Sequence, residues 1–108
     1  MNRTEETALL QAAVSGDQNA LESLLSSVQD MVFNLSLRML GTVPDAEDAA
    51  QEILIKVMTR LSSFRGESAF STWVFRVAAN HLKDYRKGMF AQHPLSFEAY
   101  GEDIASGR

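Results

Sequence analysis

The chain has 108 residues, 45% of them hydrophobic and 22% charged, which suits one globular domain with a single core rather than a disordered chain. There is no cysteine, which excludes a disulfide framework, a thiolate metal site and a cysteine nucleophile, and the two histidines, His81 and His93, are too few and too far apart to suggest a zinc site. A net charge of −4 argues at first against a nucleic-acid binder, and no apolar run approaches the roughly 18 residues of a membrane span.

The N-terminal residues lack the apolar stretch of a signal peptide, which makes the cytoplasm the expected compartment. Strand-like alternation is absent, and four helices are legible. The first is expected from about Thr4 to Val14, with Thr4 as N-cap and Ala8, Leu9, Ala12 and Ala13 on its apolar side. Ser15-Gly16-Asp17 breaks it. The second runs from about Gln18 to Leu40, capped by Asp17 and stopped by Gly41. Leu21, Leu24, Leu25, Val28, Met31, Val32, Leu35 and Met39 recur at three-and-four spacing, one buried stripe.

The third helix is expected to begin at Pro44, with Asp45, Glu47 and Asp48 near the positive end of the helix dipole, and to end near Ser62-Ser63. Its inner stripe reads Ala46, Ala49, Ile53, Val57 and Leu61. A short glycine-containing connector follows, Phe64-Arg65-Gly66-Glu67-Ser68-Ala69. The fourth helix is expected from about Phe70 to Lys87, closed by Gly88, with Phe70, Val74, Val77, Ala78, Leu82 and Tyr85 inward. Met89 to Arg108 shows no sustained period and reads as a linker or terminal extension. The expected fold is therefore all-α, a compact bundle of about four helices over residues 1–88.

Charge is segregated along this chain. Residues 1–57 carry three basic residues against nine acidic ones, and residues 58–87 carry six against two. Such polarity suggests two different partners. On the third helix, Asp48, Gln51, Glu52 and Ile55 lie within two turns on one side, an apolar residue flanked by carboxylates and an amide. That suits a protein partner bearing arginines. A solvated face with one stray isoleucine fits the same pattern.

On the fourth helix, Thr72, Arg76, Asn80, Lys83 and Lys87 form one stripe with Arg86 beside it. Cations at helical spacing can contact successive phosphates, and Asn80 can both donate to and accept from a base edge. A solubilising surface fits that stripe as well. Trp73 and Phe64 fit core anchors or stacking platforms. Arg65, Glu67 and Ser68 are harder to assign to structure alone, because a polar connector has no structural need for that mixture. Such a loop can hold an extruded base by its Watson–Crick edge. No catalytic constellation, cofactor motif or glycine-rich phosphate loop is present, and an enzyme is not expected.

Asp45-Ala46-Glu47-Asp48-Ala49-Ala50-Gln51-Glu52, then Lys56, Leu61 to Trp73, Arg76-Val77-Ala78-Ala79-Asn80 and Asp84-Tyr85-Arg86 resemble region 2 of bacterial extracytoplasmic-function sigma factors. Gly16-Asp17-Gln18-Asn19-Ala20-Leu21 resembles that family's opening helices, and the resemblance covers roughly residues 5–90. It implies that Asp48, Gln51, Glu52 and Ile55 dock on the clamp helices of the RNA polymerase β′ subunit. It implies further that Phe64, Arg65, Gly66, Glu67, Ser68 and Ala69 form a pocket for a flipped base of the single-stranded −10 promoter element. Arg76, Asn80, Lys83 and Arg86 would then follow the strand. An anti-sigma factor is an expected partner, while a membrane, a small-molecule substrate and a cofactor are not. The family's second helical domain, region 4, has no counterpart in these residues, and 89–108 resembles the linker leading to it. The competing expectation is a helical interaction module that binds polymerase or an anti-sigma factor without reading DNA.

Overall fold

The computed structural model describes residues 2–92, with side chains as far as Gly88, and four α-helices with one 3₁₀ turn account for most of them. Helix α1 spans Arg3–Val14, α2 Gln18–Leu40, α3 Val43–Arg60 and α4 Phe70–Gln92, and the 3₁₀ turn is Leu61–Ser63. No strand occurs among the described residues. The expected all-α bundle is the observed one.

Local chemistry sets most boundaries. Asp17 caps α2, its Oδ1 accepting from the N–H groups of Asn19 at 2.9 Å and Ala20 at 3.2 Å. Gly41 ends α2 in the left-handed region at φ 88°, and its N–H donates to the Leu37 carbonyl at 2.8 Å.

Three expected boundaries move. Thr4 is not the N-cap of α1; Asn2 is, its Oδ1 accepting from the Glu5 N–H at 2.8 Å, so the helix starts earlier, at Arg3. Helix α3 is capped by Thr42, whose hydroxyl accepts from the Asp45 N–H and donates to its carboxylate, and Val43 precedes Pro44 in the first turn. It gives way to the 3₁₀ turn after Arg60 rather than continuing to Ser62-Ser63. Gly88 does not close α4. Only Gly16, Gly41 and Gly66 hold positive φ among the described residues, so Gly88 does not supply the left-handed cap and the helix continues to Gln92. Residues 93–108, the rest of the expected linker, lie outside the described residues.

The core is built by α2, α3 and α4. Leu24, Val28 and Val32 from α2 meet Ala49, Ala50, Ile53 and Val57 from α3, Leu61 from the 3₁₀ turn, and Phe70, Val74, Ala78 and Leu82 from α4. Ser36 is fully buried on α2, where its hydroxyl donates to the Val32 carbonyl at 2.8 Å and so carries no desolvation penalty. Helix α1 buries no residue completely. Leu9, Leu10 and Ala13 pack it onto α2 and the 3₁₀ turn, whereas Ala8, expected inward, is exposed. Helices α3 and α4 run antiparallel, since Asp45 meets Tyr85 while Glu52, two turns later, meets His81.

Candidate functional site

The connector between the 3₁₀ turn and α4 stands on an aromatic base. Phe64 is half-buried and its ring lies 5.1 Å from Trp73 and 6.0 Å, edge-on, from Phe70. Phe70 and Trp73 are themselves 6.0 Å apart. Phe70 is 2% exposed and belongs to the core, while Phe64 and Trp73 pack against that core from its rim. Both rim rings therefore serve first as anchors, and each keeps some accessible surface. From this base Arg65, Gly66 and Glu67 project into solvent, and Ser68 and Ala69 lead back half-buried. Gly66 sits at φ 76°, where a β-carbon is strained, which gives the loop its reversal.

Helix α4 then presents one exposed stripe. Thr72, Arg76, Asn80, Lys83 and Lys87 all face solvent, opposite the buried Phe70, Val74, Ala78 and Leu82. Arg86 is half-buried and is not a free cation. Phe75 flanks the stripe, 48% exposed, an aromatic that the sequence reading did not single out. Its signal was available, because one residue past Val74 on a 3.6-residue helix lies off the inner stripe.

The sequence reading also missed Arg3 and Glu6. Arg3 donates from Nη2 to the Gly66 carbonyl at 2.9 Å, and Glu6 Oε1 accepts from the Phe70 N–H at 3.0 Å. No local pattern points to residues so distant in the chain.

On α3, Asp48, Gln51, Glu52 and Ile55 are all exposed on one side, with Ile55 53% accessible and Met58 beside it 39% accessible. The apolar spot within this acidic face is thus larger than one isoleucine.

The acidic face adjoins the basic one along the α3–α4 seam. His81 is buried at 8% exposure, and its Nε2 lies 3.2 Å from Glu52 Oε1. This is a contact close enough for an ion pair on protonation, though neither ring nitrogen has a well-aligned hydrogen-bond partner among the described residues. Burial holds the His81 pKa below the ordinary 6.5, with the Lys56 ammonium adding to the effect, while Glu52 and Asp84 oppose it. The Tyr85 hydroxyl donates to Asp45 Oδ1 at 3.5 Å, and burial, followed by the nearby Asp45, Asp48 and Glu52 carboxylates, raises its pKa.

Residues 24–88 match the family model of sigma-70 region 2. The chain belongs to that family. Among curated proteins it is 42% identical over 88 residues to the ECF RNA polymerase sigma factor SigW of Bacillus subtilis, covering 82% of this chain and 47% of SigW. It is 39% identical over 91 residues to the ECF RNA polymerase sigma-E factor of Escherichia coli K12, covering 84% and 47% respectively. The RNA polymerase sigma-H factor of Pseudomonas aeruginosa is 33% identical over 85 residues, covering 79% of this chain and 44% of that protein. The chain thus spans about half the length of these curated relatives, and the sigma region 2 match contains α3, the connector and α4 as far as Gly88.

Proposed function

We propose that this sigma region 2 domain acts in transcription initiation, docking on RNA polymerase through α3 and recognising and melting the −10 promoter element through the connector and α4. The observation that carries the reading is the exposed 65–67 loop, set on the Phe64–Phe70–Trp73 base and opening into the exposed Arg76–Asn80–Lys83 stripe. Its membership of the sigma region 2 family supports the choice of a promoter strand over single strands in general.

In this reading Phe64, Arg65, Gly66, Glu67, Ser68 and Ala69 receive one flipped base of the non-template strand. Arg76 and Lys83 track phosphates, with Arg86 at the edge of that path, and Asn80 reads a neighbouring base edge. The protein performs no bond chemistry. Binding energy for the extruded base offsets the few kcal/mol of unstacking and unpairing. Asp48, Gln51, Glu52 and Ile55 dock on the β′ clamp helices, with Met58 enlarging the apolar contact. An anti-sigma factor that covers either face is the expected regulator, and the bacterial cytoplasm is the expected site of action. No helix of the described residues is long and apolar enough to cross a membrane.

The test is binding of the domain to fluorescent single-stranded oligonucleotides of −10-like length, varied base by base at fixed salt. Selectivity for one base, reduced in Asn80→Ala and in Phe64→Ala, supports the proposal. Equal binding of all sequences would make the domain a general single-strand binder.

A further inference from the structure

We infer that the first turn of α1 is a clip that holds the base-receiving loop in shape, with Arg3 and Glu6 as its positioning residues. The inference rests on the loop's proposed role as a base pocket and adds what sets its geometry.

The loop needs such a clip because, among the described residues, no side chain of the loop itself caps α4. Ala69, which precedes the helix, has no polar side chain, and the Ser68 hydroxyl donates to the Ala69 carbonyl at 3.2 Å instead of accepting from the first turn. The first N–H groups of a helix have no partner within the helix and must be satisfied elsewhere. At Phe70 that partner is the Glu6 carboxylate, at 3.0 Å and 64 positions away in the chain. A carboxylate is also the favourable charge at a helix N-terminus.

The other half of the clip is Arg3. A cation in the first turn of α1 opposes that helix's own dipole, so its position calls for another use. Its guanidinium donates to the Gly66 carbonyl at 2.9 Å, fixing the peptide that follows the one left-handed residue of the loop. Arg3 Nε and Glu6 Oε1 lie 3.8 Å apart, one turn of α1 joining both contacts. The two ends of the segment from Gly66 to Phe70 are therefore tied to the same helical turn.

Two further observations make this a positioning device instead of general packing. Helix α1 buries no residue fully and meets the core only through partly buried side chains such as Leu9, Leu10 and Ala13, none of which is part of the two clip contacts. The contacts fall on backbone atoms of the loop, leaving the Arg65 and Glu67 side chains exposed for a ligand. Loop order fixed before binding does not have to be paid for by the ligand.

The experiment compares the domain with Arg3→Ala, Glu6→Ala and the conservative Glu6→Gln, which retains an acceptor oxygen. Two readouts are taken: amide hydrogen exchange at Phe70, and the ratio of affinities for the preferred oligonucleotide and a single-base variant. Glu6→Ala is expected to abolish protection of the Phe70 amide. Arg3→Ala and Glu6→Ala are each expected to lower the affinity ratio about tenfold, as befits loss of one charge-assisted hydrogen bond. Glu6→Gln should restore much of both, and the slope of log affinity against log salt should stay constant because no phosphate contact has changed.

Unchanged Phe70 exchange in Glu6→Ala overturns the clip. So does an equal loss of affinity for every oligonucleotide, which marks a merely structural role. A parent domain with no base preference fails the base-pocket reading instead, and the exchange data then decide the clip by themselves. Arg3 has a side chain 61% exposed, so its variant folds and keeps the test open even if Glu6→Ala loosens α1.

Discussion

Replacing Gly66 by alanine separates the two roles of the loop, backbone geometry and ligand capture. An added β-carbon at Gly66 meets nothing within 4 Å, so the substitution has no steric cost from neighbours. Its cost is conformational: holding an L-residue in the left-handed region takes about 1–2 kcal/mol. Stiffening of the unfolded chain offsets roughly 0.4–1 kcal/mol of that. A net loss near 1 kcal/mol remains, equivalent to a fall in Tm of about 4–8 °C for a domain of this size. Gly41, at φ 88° and equally uncrowded, is the internal control, since it ends α2 and takes no part in the loop. Gly41→Ala is expected to lower Tm by a similar amount and to leave oligonucleotide binding unchanged. Gly66→Ala is expected to weaken the preferred oligonucleotide as well, by up to about fivefold, because a loop that relaxes its strain must be returned to shape on binding. Gly66→Asn should recover most of both losses, asparagine being tolerant of this conformation. Thermal melts and anisotropy titrations on the same samples decide the matter. Unchanged stability in Gly66→Ala, or equal loss of binding in both alanine variants, would refute the reasoning.

Four other predictions concern the core, the seam and the acidic face. Phe70→Ala removes a 2%-exposed ring touching Phe64 and Trp73 and should destabilise the domain by about 3–5 kcal/mol in urea unfolding, with Phe70→Leu costing far less. His81 has its folded pKa below 6.5, so the unfolded chain binds the extra proton first. Its contribution to stability is complete above pH 6.5 and is lost as pH falls through the folded value, and urea melts across that range should show the decline flattened in His81→Gln. Gln51→Ala combined with Glu52→Ala should weaken polymerase binding at least tenfold in a pull-down titration while sparing oligonucleotide affinity; equal loss of both would join the two faces into one. Ile55→Ala should act in the same direction and change domain stability by no more than about 0.5 kcal/mol, its side chain being largely in solvent.

The features legible in the sequence were those with local causes. Asp17 and Gly41 bound α2 because capping chemistry lies within a few residues of the helix end. The inner stripes of α2 and α3 were readable from their period, and the exposed stripe of α4 followed as its complement. Other features depended on what the chain folds against. Thr4 and Asn2 are both acceptable caps, and the structure uses Asn2, which brings Arg3 into α1 and within reach of Gly66. Gly88 resembles a stop signal, yet a glycine stops a helix only when it turns left-handed, and this one does not. The burial of His81 against Glu52 and the clip from α1 join residues far apart in sequence, and no short-range pattern encodes such meetings. The residues expected to bind DNA are brought together on the connector and α4, and those expected to bind polymerase share one exposed side of α3. Arg86 differs from the others on its helix in being half-buried and engaged.

The central claim is that the Phe64–Ala69 loop takes up one particular base. Its most direct measurement is a titration of the domain, at constant salt, with single-stranded −10-like oligonucleotides in which each position in turn carries all four bases or an abasic site. The account predicts one position where a single base is preferred by about 1–3 kcal/mol and where the abasic site loses most of that preference, with the discrimination reduced in Phe64→Ala and Gly66→Ala. Affinities that vary with length and salt but not with base identity at any position would contradict it.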